Sequence, residues 1–319
     1  MAIIAVAGGT SPSLGHSIVT AIGASSNQPI ILSRIDPPKP QPSHCYGAEV
    51  RYVDYTSHAS LVLALRGVET VISVIKIPGP EWASYQINLL NAAREAGCKR
   101  FAPSQFENGP LAADKVDITG LKLAVWQACK ESGLEVARFS CGMFMNYLAL
   151  GSEDLKEGRK EEALHGLVDE PIIWDVKNRT AELPVKDDGT SPRFTTTEIG
   201  DVGKFVAAVC ELELGKWEQE MMMVGETIEV DKATELLGKA IRAPFEIRKV
   251  GRKELQSRDQ SVEGIGKSRE EIVLKLISQI ELVMLDENEG AAILKPVINQ
   301  LCPAVKPLNV TEYLDKVYG

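Results

Sequence analysis

The sequence predicts an α/β fold built on a doubly wound parallel sheet, and three observations support this. Short apolar runs alternate with helical patterns over roughly the first 140 residues, as in a parallel sheet covered on both faces. A glycine-rich turn, Gly8 to Gly15, directly follows the first apolar run. After residue 150 the helices and strands become short and mixed, which predicts a smaller mixed α/β C-terminal lobe.

The first half contains a regular alternation of predicted strands and helices. Short apolar or alternating runs predict strands at 2–7, 29–34, 49–53, 69–75, 99–102 and 134–139. Apolar residues at helical spacing predict helices at 14–22, 57–66, 82–96 and 119–132. A proline-rich loop at 36–43 follows the second strand. Because right-handed crossovers bring the carboxyl ends of parallel strands to one edge, we expect the loops after the strands to meet there.

The second half is less regular. Helical spacing occurs at 150–167, 197–214, 232–240, 269–306 and 310–317. Strands are predicted at 172–176, 182–185, 221–224 and 245–250. We expect residues 1–150 to form a dinucleotide-binding domain and residues 151–319 to form a smaller substrate-binding lobe. Residues 195–215 are expected to pack back onto the first domain.

The composition is that of a soluble globular protein, with 319 residues, of which 44% are hydrophobic and 25% charged. A net charge of −9 argues against a nucleic-acid partner, which needs clustered Lys and Arg. No stretch reaches the roughly 18 apolar residues of a membrane span, and the start lacks the basic region of a signal peptide. We therefore expect a cytoplasmic protein without a membrane partner. The six cysteines form no C-x-x-C pair and the four histidines are scattered, so no metal site is expected.

The glycine-rich turn has the chemistry of a phosphate site. Unpaired N–H groups and the dipole at the start of the next helix favour an anion, and glycine lets a pyrophosphate approach closely. The G-x-G-x-x-G pattern is absent, and His16 stands where a Walker A motif needs lysine. A buried strand that merely ends in glycine is the alternative. The cofactor contacts expected from this turn are Gly8, Gly9, Thr10, Ser11, Ser13, Leu14 and Gly15.

Arg34 indicates which dinucleotide would bind. An acidic residue at the end of the second strand bonds the ribose of NAD, whereas an arginine accommodates the 2′-phosphate of NADP. We therefore expect NADPH or NADP as the cofactor, with a solvated arginine as the alternative. Asp36 imitates the acidic residue but opens the proline-rich loop. Other residues expected at the same sheet edge are Ser33, Asp54, Ile75, Lys76, Ser104 and Phe106.

Several of these segments together resemble the NmrA-like and isoflavone-reductase-like group of atypical short-chain dehydrogenase/reductases. The resemblance rests on the glycine-rich turn, Ser33-Arg34, residues 100–106, Lys122 within 121–125, and residues 198–203. It implies a Rossmann domain, a preference for NADPH and a small C-terminal lobe over the substrate. It also implies that Lys122 handles a proton or orients the nicotinamide ribose, and that Asp54 lies near the adenine. Gln105-Phe106-Glu107 departs from the Glu-Phe-Gly of plant members, so substrate identity does not carry over.

The residues expected to donate a proton or to contact the substrate follow the fifth and sixth predicted strands. No Tyr-x-x-x-Lys pair occurs, so in a reductase the proton would come from Lys122, a bound water or a group of the lobe. A surface lysine on an amphipathic helix is the alternative. Phe144 and Tyr147 are candidate walls for a flat substrate, and Asn146 is a candidate hydrogen-bonding partner for it. Packing at the lobe junction explains Phe144 equally well.

These features favour an NADPH-dependent reductase of a small carbonyl, enone or imine, with an aromatic or polyketide-like substrate from secondary metabolism. Two alternatives stay open. One is a non-catalytic, NADP-sensing regulator like NmrA, which would act through a protein partner. The other is a cofactor-independent isomerase or cyclase on the same fold, which the altered glycine-rich turn would suit.

Overall fold

The main sheet belongs to the first half of the chain. The computed structural model describes residues 1–34, 42–77, 79, 81–113, 115–116, 120–264, 266 and 268–319. In these ranges the sheet strands are β1 (Ile3–Ala7), β2 (Gln28–Arg34), β3 (His44–Cys45), β4 (Ala48–Val53), β5 (Thr70–Ser73), β6 (Arg100–Ala102) and β7 (Glu135–Val136). Their order is β3-β4-β2-β1-β5-β6-β7, and every pair is parallel except β3 with β4. The predicted doubly wound parallel sheet is confirmed.

Helices cover both faces of this sheet because alternate residues of β1 point to opposite sides. The helices of the first half are α1 (Leu14–Gly23), α2 (His58–Ala64), α3 (Glu81–Glu95) and α4 (Gly120–Glu131). Ile4 and Val6 pack with the apolar face of α1. Ala5 and Ala7 pack with residues of α2, α3 and α4 on the other face.

Within the described ranges, the remaining elements include three small sheets and seven α-helices. The strands are β8 (Arg138–Ser140), β9 (Met143–Phe144), β10 (Trp174–Asp175), β11 (Thr180–Val185), β12 (Arg193–Thr197), β13 (Glu220–Met222), β14 (Glu226–Glu229) and β15 (Glu246–Gly251). The helices are α5 (Lys160–Leu164), α6 (Ile199–Cys210), α7 (Val230–Ala240), α8 (Arg252–Ser261), α9 (Arg269–Asp286), α10 (Val297–Leu301) and α11 (Val310–Tyr318). The sheets have the orders β10-β11-β15, β14-β12-β9 and β13-β8. A separate apolar core built around Trp174, Leu237 and Tyr313 joins β10, β11, β12, α7 and α11, whereas β8, β13, α6 and α10 pack in the core of the main sheet.

Helix α6 lies against α1, although it comes from the second half of the chain. The Ser17 hydroxyl donates a hydrogen bond to the Ile199 carbonyl at 2.7 Å, and both groups are buried. A Cβ on Gly203 would lie 2.2 Å from Ser17 Oγ, so the two helices cross at very close range. This crossing holds the start of α6 beside the helix that follows the glycine-rich turn.

The structure differs from the prediction in several elements. The helical stretch expected at 269–306 ends at Asp286, where Glu287 adopts a left-handed φ of +45°, and only α10 follows within it. Strands β12 and β14 were not predicted. The strand expected at 134–139 divides at Ala137, after which β8 leaves the main sheet and pairs with β13. Of the helix expected at 150–167 only α5 forms, because Gly158 adopts a left-handed φ of +77° and few apolar residues precede it. Helix α8 was not predicted, because it is almost wholly polar and buries Leu255 alone. Most of the proline-rich loop, including Asp36, and the expected helix start at Thr119 lie outside the described residues.

Candidate functional site

The glycine-rich turn lies at the middle of the sheet edge, where β1 ends between β2 and β5. The Gly8 N–H donates to the Leu32 carbonyl at 2.9 Å, and the Val74 N–H donates to the Ala7 carbonyl at 2.8 Å. Gly8 has a φ of +83°, and a Cβ there would lie 3.2 Å from the backbone of Val74 and Ile75. The turn is therefore tied to both neighbouring strands, and its first position requires glycine.

At the start of α1 several polar groups have no partner among the described residues. A Cβ on Gly15 would lie 2.8 Å from the Gly9 carbonyl oxygen, so the helix begins directly on the turn. Ser13 is the N-cap residue, but its hydroxyl makes no capping hydrogen bond. Within the described part of the chain, the N–H groups of Thr10, Leu14 and Gly15 donate to no protein acceptor. Such a helix end, with no acidic residue in its first turn, favours an anion.

A cleft of about 300 Å³ opens beside this turn, at the ends of β1, β2 and β5. The Thr10 and Ser33 hydroxyls lie 3.5 Å apart across it, and Arg34 is exposed at the end of β2. The cleft brings together seven of the residues predicted from the sequence: Gly8, Thr10, Ser11, Ser33, Arg34, Ile75 and Lys76. Leu14 instead packs at the base of the turn, against the apolar cores.

The aromatic wall of the cleft was not predicted. Tyr55, at the end of β4, donates its hydroxyl to the Leu32 carbonyl at 3.1 Å, and its ring stacks on Tyr85 at 5.8 Å. Both tyrosines line the cleft. Asp54 does not line it, because its exposed carboxylate accepts hydrogen bonds from the Thr56 hydroxyl and N–H, at 2.7 and 2.8 Å. Those bonds lower the pKa of Asp54.

The end of β5 connects the cleft to the second half of the chain. Trp82 Nε1 donates to the Ile75 carbonyl at 2.9 Å and holds that wall in place. Lys76 Nζ lies 2.8 Å from one oxygen of Asp169, and the Tyr147 hydroxyl donates to the other oxygen at 3.2 Å. Burial and the neighbouring Asp169 carboxylate raise the pKa of Tyr147, so its phenol is a poor proton donor.

A buried glutamine joins the ends of β5 and β6. Gln86 on α3 donates to the Ser73 hydroxyl at 3.0 Å, and its amide oxygen accepts from the Ser104 N–H at 3.4 Å. Ser104 is thereby bound into this junction. The next residue, Gln105, is also buried, and its amide donates to the Lys122 carbonyl at 2.9 Å. The loop after β6 therefore lies one strand away from the cleft and fixes the start of α4.

Lys122 is partly buried and paired at its charged end. Its Nζ lies 2.5 Å from Glu107 Oε2, and the two side chains are 22% and 24% exposed. Phe106 lies between Gln105 and Glu107, the two residues that hold Lys122. Its ring stacks on Phe139 at 5.5 Å and packs against the sheet core. Phe106 does not line the cleft, so its cofactor contact stays a prediction.

Asn146 lies inside the protein, whereas the sequence predicted that its side chain would contact the substrate. It is fully buried, and its amide donates to the Ala163 carbonyl at 2.8 Å and accepts from the Ile199 N–H at 2.9 Å. Its amide also contacts Glu198, whose carboxylate lies 2.8 Å from His165 Nδ1. Burial alone would raise the pKa of Glu198, but the His165 hydrogen bond and charge lower it to about 2. Asn146 therefore serves to join α5 to α6.

Phe144 and Tyr147 lie where the second half of the chain meets the glycine-rich turn. Both are partly buried and pack in one apolar cluster with Leu14 and Leu167. In the same segment, a Cβ on Gly166 would lie 2.6 Å from the Pro12 carbonyl oxygen. The two aromatic side chains are thus set between α1 and the segment after α5.

Two other features are absent from the described residues. No group of three His, Cys, Asp or Glu side chains is arranged to hold a metal ion there. None of the helices they form combines the length and apolarity needed to cross a bilayer.

The sheet order and the cleft at its switch point define a Rossmann-type α/β protein. The chain belongs to the NmrA-like family, whose family model matches residues 2–273. It is 32% identical over 237 residues to Oxidoreductase BOA1 of Botryotinia fuckeliana (strain B05.10). The aligned region covers 71% of each chain. It is 31% identical over 162 residues to phenylcoumaran benzylic ether reductase PT1 of Pinus taeda, and that match spans 49% of this chain and 48% of the pine protein.

Solved structures share the fold over nearly the whole chain. An isoflavone reductase crystal structure superposes with a TM-score of 0.72 at 18% identity, and covers 98% of both chains. The ternary complex of leucoanthocyanidin reductase from Vitis vinifera gives a TM-score of 0.70 at 17% identity, with the same coverage. The structure of the quinone oxidoreductase QOR2 from Escherichia coli complexed with NADPH gives a TM-score of 0.67 at 16% identity, and covers 98% of both chains. The family resemblance seen in the sequence is confirmed.

Proposed function

We propose that this protein is an NADPH-dependent reductase of a small carbonyl, enone or imine. One observation carries the proposal: the glycine-rich turn and Arg34 line one cleft, and Lys122 is held at the end of the adjoining strand. The names of the relatives support this class, since they include an oxidoreductase and a benzylic ether reductase. An aromatic or polyketide-like substrate of secondary metabolism is the finer part of the proposal.

The residues present fit the dinucleotide. The unpaired N–H groups of Thr10, Leu14 and Gly15 suit a diphosphate, and the absence of a Cβ at Gly8 keeps the turn open. Arg34 suits an additional phosphate on the ribose, and Tyr85, which is partly exposed and stacks on the buried Tyr55, offers a flat surface to a base. When bound, NADPH supplies the hydride.

The chain itself supplies a proton donor and a substrate wall. Lys122 carries up to three N–H donors close to the sheet edge, and one of them is directed at Glu107. Tyr147 is less suited to donate a proton because its one O–H is already directed at Asp169, whereas Lys122 keeps two N–H donors after its pairing with Glu107. We assign the proton to Lys122 and assign walls for an apolar substrate to Phe144 and Tyr147. In this proposal residues 1–150, with 195–215 beside them, hold the cofactor, and residues 151–319 supply the rest of the substrate lobe.

The test combines binding and turnover. NADPH and NADH affinities are measured by protein fluorescence, and NADPH oxidation is followed with an aromatic quinone, an aromatic enone and a cyclic imine. We expect Lys122→Ala to lower kcat about a hundredfold or more, to a residual rate that can still be measured, without changing NADPH affinity, while Lys130→Ala, on an exposed position of the same helix, has no effect. NADPH binding without turnover of any acceptor would refute the reductase in favour of a sensor. Absence of binding to either dinucleotide would refute the cofactor as well.

A further inference from the structure

Glu107 makes the one side-chain contact of the Lys122 ammonium recorded among the described residues. Nζ lies 2.5 Å from Oε2, so the ammonium and the carboxylate form a charge-assisted hydrogen bond. Both side chains are about three-quarters buried, so solvent screens this pair less than it screens an exposed ion pair. Glu107 is therefore placed to control the direction of the ammonium group.

The backbone fixes Glu107 independently of Lys122. Its carbonyl accepts hydrogen bonds from the N–H groups of Cys141 and Gly142, at 3.0 and 3.2 Å, where the chain leaves β8. Two residues earlier, Gln105 holds the Lys122 carbonyl at 2.9 Å. The same short loop thus holds Lys122 at both its main chain and its charged end, which leaves its side chain little freedom.

We propose that Glu107 is a positioning residue for proton delivery by Lys122, an inference that rests on the proposed reductase function. As the acceptor takes up a hydride at carbon, the electron pair of its C=O or C=N bond moves to the heteroatom. That atom takes a proton from the Lys122 ammonium, which becomes a neutral amine and recovers a proton from water. Because Glu107 occupies one N–H donor, the remaining two are directed away from it, and the ammonium does not have to be oriented during the reaction.

A double-mutant cycle tests this, with an acceptor identified in the quinone, enone and imine series. We expect Glu107→Gln and Glu107→Ala each to lower kcat about tenfold or more, with the NADPH dissociation constant unchanged within about twofold. In the Lys122→Ala background, Glu107→Ala should have no further effect, because Glu107 acts only through that lysine. Glu131→Gln, an exposed glutamate on α4, is the matched control.

A second measurement does not depend on turnover. Reductive methylation with ¹³C labels the lysine amines while keeping their charge, and Lys122→Ala identifies the Lys122 resonance by its loss. We expect Glu107→Gln to shift this resonance, while Glu131→Gln leaves it in place. A Lys122 resonance that Glu107→Gln leaves unshifted overturns the positioning role. An equal loss of kcat from Glu107→Ala in the wild type and in Lys122→Ala overturns it as well. Full turnover by Lys122→Ala instead overturns the proton assignment of the proposed function.

Discussion

Replacing Arg34 with alanine should remove the preference of this protein for NADPH over NADH. Arg34 is exposed at the end of β2, on the cleft that also holds the glycine-rich turn. A charge-assisted bond to phosphate contributes about 1.5–3 kcal/mol, and the exposure of Arg34 favours the lower half of that range. We therefore expect NADPH to bind Arg34→Ala roughly ten- to thirtyfold more weakly, with NADH affinity changed less than about twofold.

The assay is a titration of each dinucleotide, followed by tyrosine and tryptophan fluorescence or by calorimetry, at one fixed salt concentration. Arg66→Ala is the control, because Arg66 is an exposed arginine of the same half of the chain and does not line the cleft. An unchanged ratio of the two affinities in Arg34→Ala would refute the assignment of the 2′-phosphate to this residue. An equal loss for both dinucleotides would show that Arg34 contacts a group that they share.

Three further substitutions test the structure around the cleft. Gly15→Ala should abolish NADPH binding and lower the melting temperature, since its Cβ would meet the Gly9 carbonyl oxygen at 2.8 Å; Gly23→Ala, which meets nothing closer than 3.6 Å, should be tolerated on the same helix. Asn146→Ala should destabilise the protein by about 2–4 kcal/mol in urea unfolding, because buried groups lose their partners, and should leave KM unchanged. Burial raises the pKa of Glu281 to about 8 from 4.5, so the stabilisation that its proton provides is complete below pH 4.5 and is lost as the pH rises to about 8. Glu281→Gln should therefore gain stability over the wild type at pH 8 but not at pH 5; an equal difference at both values would contradict the buried, neutral carboxyl.

The strands that line the cleft were predictable because each is a continuous apolar run buried on both faces. Predicted and observed bounds agree within one residue for β1 and β2 and within two for β5. The strand predicted at 134–139 divides because β8 finds its partner in β13, more than eighty residues away, and no local pattern encodes that pairing. The helix predicted at 150–167 fails for a local reason, because a glycine with left-handed backbone lies within it.

The candidate site likewise contains residues that were predictable from the sequence and residues that were not. Gly8, Ser33 and Arg34 were predictable because they stand at strand ends, and parallel strands bring those ends together. The stacked pair Tyr55 and Tyr85 was not predicted, although an aromatic residue two positions after a strand was a usable signal. Asn146 had the residue type of a substrate ligand, but its burial depends on packing between α5 and α6.

By itself the sequence determined the alternation of strands and helices, the glycine-rich turn and the charge at the end of β2. Each of these depends on residues that are neighbours along the chain, where spacing and steric limits act directly. The tertiary structure alone decided that Glu107 pairs with Lys122, that Lys76 reaches Asp169, and that Asn146 is buried. The two ion pairs join residues that are 15 and 93 positions apart, and Asn146 is enclosed by later helices. Only packing of the whole chain brings these groups together.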